Sequence, residues 1–156
     1  MKAAIVLTAF VLAAGAAWPA DTPGSNPSVA PPTVQDRLAT ARKWVDRKDW
    51  STAQRELTVL VREAPQNADA HNLLGYTYRK RSSPDMAKAY EHYDMALKID
   101  PRHKGAREYL GEAYLVDKRL PDAEQQLVEL EKICGGPACE EYRDLAKSIA
   151  DYKARQ

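Results

Sequence analysis

The feature that most constrains this chain is a helix–turn–helix pattern recurring at a nearly fixed interval. It is most complete between Ala68 and Pro101, ADAHNLLGYTYRKRSSPDMAKAYEHYDMALKIDP. The first half carries His71, Leu74, Gly75 and Tyr78 at helical spacing; the second carries Ala89, Tyr93, Ala96 and Leu97 before Pro101 ends it. Gly75, Ala89 and Ala96 are small enough to let neighbouring helices approach, and Tyr78 and Tyr93 are large enough to fill the gaps between them. Upstream, Ala41 and Trp44 take the places of Gly75 and Tyr78, and Ala53, Leu57 and Leu60 precede Pro65. Downstream, Leu110, Gly111, Tyr114, Ala123, Leu127 and Leu130 repeat the series, with Gly135 in the proline slot. A helix pair of this size cannot bury its apolar face alone, so its copies must stack.

The intervals support this reading. Ala41 to Gly75 is 34 residues and Gly75 to Gly111 is 36. Trp44 to Ala53 and Tyr114 to Ala123 are nine residues each, whereas Tyr78 to Ala89 is eleven. The surplus therefore sits in the turn RSSPD, between the two helices of the middle unit, and turns are where repeat arrays accept insertions. These slots match the pattern W-x2-L-G-x2-Y…A-x3-F…P, with His71 in the first aromatic slot and Tyr93 in the second. From Val34 to Pro137 the chain resembles the tetratricopeptide repeat family. The resemblance implies an all-α, right-handed superhelical stack of three helix pairs, at 34–67, 68–101 and 104–137. Thr33, with Asp36 three residues on, is a good N-cap for the first helix. Arg37 and Thr40 depart from the family slots, as a terminal helix with little to pack against allows. In the tail, Tyr142, Leu145, Ala146 and Ile149 fall at the spacings of His71, Leu74, Gly75 and Tyr78, with no partner helix after them. Residues 138–156 are thus expected to form a capping helix, making seven helices in all.

The first 20 residues, MKAAIVLTAFVLAAGAAWPA, read as a signal peptide: one lysine, a short apolar run and small residues before a cleavage site after Ala17 or Ala20. The apolar run is too short for an ordinary spanning helix, which counts against the alternative of an uncleaved anchor. Without its leader the chain is expected in a bacterial periplasm. Residues 21–33 hold four prolines and little to bury, so they read as a disordered linker. Basic residues number 23 against 22 acidic, a net charge of +1. That balance leaves no electrostatic footprint for nucleic acid and no polybasic membrane patch.

Cys134 and Cys139 are the only cysteines, and an even count in an exported chain argues for a disulfide clipping the third repeat to the cap. A metal or redox pair and two free thiols are the alternatives. No cofactor or metal motif is present. His71 occupies a packing slot, His92 lies on the next helix and His103 at a helix entrance, so the histidines are not expected to form a site. No nucleophile is paired with a base, and the chain reads as a non-enzyme.

What remains is the face lined by the first helices, along which the family resemblance implies binding of a protein or peptide partner. One stripe runs through Leu38, Arg42 and Val45, then Asn72, Tyr76 and Arg79, then Glu108, Glu112 and Leu115, with Arg143 and Lys147 from the cap. It does not reproduce the carboxylate clamp of chaperone-binding family members. Arg143 and Lys147 are expected to neutralise Glu108 and Glu112, and Asp46, one turn from Arg42, to share that arginine. The ligand set is then Arg42, Asn72, Tyr76, Arg79 and Lys80, suited to an acidic or C-terminal peptide segment. The function expected is a periplasmic interaction adaptor. A self-associating envelope scaffold and a small redox protein using the cysteines are its competitors.

Overall fold

The structure, a computed structural model, describes residues 30–156. The expected signal peptide and residues 21–29 of the expected linker lie outside the described residues. Pro32–Gln156 forms one unit. Among the described residues there are seven helices and no strand: α1 (Val34–Asp46), α2 (Trp50–Glu63), α3 (Ala68–Lys80), α4 (Met86–Ile99), α5 (Lys104–Val116), α6 (Leu120–Cys134) and α7 (Glu140–Lys153). Each pair packs as an antiparallel hairpin, α1 with α2, α3 with α4 and α5 with α6, and α7 lies against α5 and α6.

Local chemistry starts the helices. Thr33 and Asp36 form a reciprocal capping box at α1. Asp49, Asn67 and Asp85 cap α2, α3 and α4 through side-chain oxygens, and the His103 ring nitrogen does the same for α5. The turns explain the middle insertion. In the first and third repeats a tight turn forces Lys48 and Lys118 into the left-handed region, φ 59° and 58°, at a cost of about 1 kcal/mol each. The two extra residues of the middle turn remove the need, while Tyr78 O still accepts from Asp85 N at 3.0 Å, as Trp44 O does from Asp49 N and Tyr114 O from Arg119 N.

The small-residue slots do what their size allows. Ala41, Ala53, Ala89 and Ala96 are fully buried at helix crossings. A Cβ on Gly75 would stand 2.8 Å from ring carbons of Tyr93, so the tyrosine occupies the glycine's missing side chain. Leu145 of α7 fills the same vacancy at Gly111. One cluster around Leu57, Leu74, Tyr78 and Tyr93 serves the first two repeats, and a second around Leu115, Leu130, Leu145 and Ile149 seats the cap.

Two details concern sequence expectations. Cys134 and Cys139 are joined by a disulfide, Cα atoms 5.7 Å apart, with Gly135 in the left-handed region closing α6. The histidines, by contrast, are not all separate: His71 and His92 face each other, Nδ1 to Nδ1 at 3.1 Å. The α3–α4 hairpin places the two on facing turns.

Candidate functional site: the face lined by the first helices

Helices α1, α3, α5 and α7 are successive neighbours and line one face, while α2, α4 and α6 lie behind them. Tyr76 of α3 packs on Tyr109 of α5 with ring centroids 4.5 Å apart, and Trp50 meets the edge of Tyr76 at 5.9 Å. Both tyrosines are half-buried, so the row keeps an apolar surface open on this face. Lys80 Nζ lies 5.8 Å from the Tyr76 ring centroid.

Arg79 is the buried charge beside this row, its side chain only 6% exposed. Its Nη2 donates to Glu112 Oε2 at 2.5 Å and its Nε to the Tyr93 hydroxyl at 3.3 Å, while the guanidinium carbon lies within 6 Å of both tyrosine rings. Burial opposes its charge, but Tyr93 and Glu112 outweigh burial and hold its pKa above the ordinary arginine value. Burial likewise pushes the Tyr93 phenol up to about 12. Ser148 Oγ donates to the other Glu112 oxygen at 3.4 Å. Arg79 is thus bound within the protein, and holding a ligand carboxylate would first require releasing Glu112.

The other expected groove residues are distributed as follows. Arg42 is exposed and pairs with Asp69 at 3.2 Å, not with Asp46. Asp69 also meets His103 Nε2 at 3.2 Å, and the His103 bond is the main cause that lowers its pKa. Asn72 is 5% exposed, and its Oδ1 has no hydrogen-bond partner. Lys80 is exposed. Leu38 and Leu115 belong to the core, so the stripe is not open along its whole length.

The expected neutralisation of the acidic pair by the cap does not occur. Lys147 pairs with Asp151 one turn along its own helix at 2.6 Å, and Arg143 donates to the carbonyls of Pro137 and Ala138. Arg79 takes Glu112, and no ion pair among the described residues includes Glu108. Burial, then the charges of Glu112, Asp144 and Glu141, push the Glu108 carboxyl up to about 8. The physical reason is stagger. The Asn72–Tyr76–Arg79 stripe of α3 meets Gly105, Tyr109 and Glu112 of α5, about one turn earlier than the sequence-equivalent slots. Tyr109 was missed for the same reason, and applying a one-turn offset to Tyr76 would have found it; Trp50 was missed because it belongs to α2, outside the first-helix stripe.

Among the described residues, no group of His, Cys, Asp or Glu could hold a metal ion, and no helix is long and apolar enough to cross a membrane. A tetratricopeptide repeat family profile matches residues 38–103 and 85–134. The chain belongs to the tetratricopeptide repeat family. No curated protein sequence matches it significantly. The stack is similar to the type III secretion translocator chaperone SycD of Yersinia enterocolitica, at 14% identity over 79% of this chain and 85% of that one, with a TM-score of 0.67. It is also similar to the TPR2B domain of yeast Sti1, solved in complex with pHsp70, at 15% identity over 79% and 98%, TM-score 0.68. A third structure is SycD in complex with a peptide of the translocator YopD, at 13% identity over 78% and 90%, TM-score 0.64.

Proposed function

We propose that this chain is an exported, non-catalytic adaptor that holds an extended segment of a partner protein along the face lined by α1, α3, α5 and α7. The observation that carries the reading is the Tyr76–Tyr109 pair, a half-open aromatic surface backed by the buried Arg79–Glu112 bridge. An aromatic floor fixed by a buried ion pair is a pre-organised surface, and pre-organisation lowers the cost of binding. Two solved neighbours are described as a peptide complex and an Hsp70 complex, which supports the same use of the fold. Export is supported by the leader-like first 20 residues and by the Cys134–Cys139 pair.

The test is crosslinking in the native envelope with a photoreactive residue at Tyr76, and again at Val128, which is exposed on α6 away from this face. Partner capture at position 76 alone supports the groove. Capture at both or neither position counts against it. N-terminal sequencing of the periplasmic protein, expected to begin after Ala17 or Ala20, tests export. Light scattering tests the competing scaffold: mass rising with concentration would favour self-association.

A further inference from the structure

A cleft of about 580 Å³ lies between the α1–α2 turn and the longer α3–α4 turn, with Lys48, Asp49 and Trp50 on one side and Lys80, Arg81 and Ser83 on the other. No ion pair among the described residues includes Lys48, Lys80 or Arg81. The acids of the two turns are spent as helix caps. Asp49 accepts from Ser51 Oγ and Thr52 N at 2.9 and 3.1 Å, and Asp85 accepts from Lys88 N at 3.1 Å. The third repeat supplies a contrast within the same chain, since the cation of its turn, Arg119, has Asp122 at 2.9 Å.

Arg81 is not a free surface side chain. Its Nε donates to the Ser83 carbonyl at 2.5 Å and its Nη1 to Gln54 Oε1 at 3.4 Å, and its guanidinium carbon lies 5.9 Å from the Tyr78 ring centroid. All three partners are neutral, and Nη2 has no acceptor among the described residues. The guanidinium is therefore fixed in place with its charge uncompensated, the condition that favours an incoming anion over water. The Ser83 carbonyl belongs to the turn RSSPD, whose two extra residues the other repeats lack. The cleft also adjoins the aromatic row: half-buried Trp50 lines it and meets the edge of Tyr76 at 5.9 Å, and Lys80 Nζ lies 5.8 Å from the same ring.

We propose that this cleft takes an aspartate or glutamate side chain of the partner. The adaptor's ligand is then an extended segment with apolar residues on Tyr76 and Tyr109 and an acidic residue held by Lys48, Lys80 and Arg81. The proposal rests on the peptide-groove reading above and adds the chemistry of the ligand. It keeps the acidic ligand expected from the sequence but moves its anchor. Arg42 and Arg79 are committed to internal carboxylates, Lys80 remains, and Lys48 and Arg81 join it. Trp50 offers the methylenes of the acidic side chain an apolar wall, and its carboxylate completes the charge-assisted bonds that Arg81 lacks.

The test is a positional library of end-capped heptapeptides bound to the purified full chain, run beside the same library with free C-termini. Expected is selection of Asp or Glu at one fixed position of the capped peptides, with apolar residues preferred on one side of it. Lys48→Asn with Lys80→Gln should weaken binding of the best capped peptide at least tenfold. Lys98→Gln with Lys132→Gln, which removes the same charge from exposed positions on the helices behind this face, should leave it within twofold. Both cleft lysines are exposed and asparagine tolerates the left-handed backbone at position 48, so the variant is expected to fold, checked by circular dichroism. Binding that needs Tyr76 but selects no acid would overturn the cleft and leave the groove intact. Acid selection that Lys48→Asn with Lys80→Gln leaves unchanged would place the carboxylate elsewhere and overturn the site. Retention of free-ended peptides alone would make the ligand a chain end and overturn the side-chain assignment. If neither library is retained, the groove reading and this proposal fail together.

Discussion

Arg79 of α3 and Glu112 of α5 meet at 2.5 Å across the seam between the second and third repeats, with the Tyr93 hydroxyl 3.3 Å from the same guanidinium. The pair joins two units that are also linked by Asp69–His103 and by the Tyr90 hydroxyl, which donates to the Ala113 carbonyl and to Asp117. Removing one member leaves the other charge poorly compensated, whereas replacing both leaves neither. Arg79→Ala should therefore destabilise by about 3 kcal/mol, towards the low end for a buried pair because Glu112 is still 26% exposed. Arg79→Met with Glu112→Gln should lie within about 1 kcal/mol of the parent. Urea unfolding of the single and double variants gives the coupling. A coupling near zero would show that the bridge is incidental to the seam.

Outside the Arg79–Glu112 bridge, glycine and leucine slots should matter more to stability than polar residues. Leu74 is 1% exposed, and Leu74→Ala should cost about 2–5 kcal/mol. Gly75→Leu should cost more, because its side chain would be driven into the Tyr93 ring and toward the Ala89 carbonyl, 3.0 Å from the nearest possible Cβ. Gly111→Ala meets only Leu145 side-chain carbons, on the terminal helix. It should loosen α7 and spare the first two repeats, read by hydrogen exchange. Equal melting of Gly75→Leu and the parent would discredit the repeat register itself.

The fold was legible because its determinants are local and periodic: small residues at Ala41, Gly75 and Gly111, and stop signals at Pro65 and Pro101. The site was less legible because it depends on how one first helix lies against the next. Aligning equivalent slots pairs Tyr76 with Glu112, whereas the stagger sets Tyr76 against Tyr109 and Arg79 against Glu112. A shift of one turn exchanges an exposed arginine for a buried bridge and leaves Glu108 without a cation. No periodicity within a single helix carries that offset.

The disulfide ties Cys139, the residue before α7, to the end of α6. The chain-entropy cost of so short a loop gives the bond about 2 kcal/mol. Cys134→Ser with Cys139→Ser should lower stability by that order and raise exchange in α7 first, since the cap is held otherwise mainly by Leu145 and Ile149. Alkylation without reductant, followed by mass spectrometry, should find neither thiol labelled in protein recovered from its own compartment. Two labelled cysteines would sink the bond.

The His71–His92 contact makes the middle repeat acid-sensitive, and the sign can be worked out from the hydrogen bonds. His71 Nε2 lies 3.1 Å from the Pro65 carbonyl, which only accepts, so this nitrogen carries the hydrogen. In the neutral ring Nδ1 is then bare and accepts from His92 Nδ1–H at 3.1 Å. One added proton can be absorbed, because His92 can move its hydrogen to Nε2; a second sets two N–H groups head to head. Burial lowers both pKa values below 6.5, and the neighbouring His71 charge lowers His92 further, with Lys88 adding to this and Glu91 opposing it. Groups with a depressed folded pKa contribute stability that is present above the unfolded value and lost as pH falls. The melting temperature should accordingly fall as pH drops below 6.5. Glu108 acts in the opposite sense: its folded pKa is raised from 4.5 to about 8, so its contribution is full below 4.5 and lost as pH climbs towards 8. The measurement is therefore best made in Glu108→Gln, which removes that counter-trend. In this background His92→Phe keeps a ring stacked on Tyr78, now 5.6 Å from His92 and nearly parallel, while deleting one titration. It should melt lower at pH 7.5, for want of the donor to His71, yet show a shallower decline between pH 6.5 and 5. An unchanged slope would mean that the acid sensitivity lies outside the histidine pair.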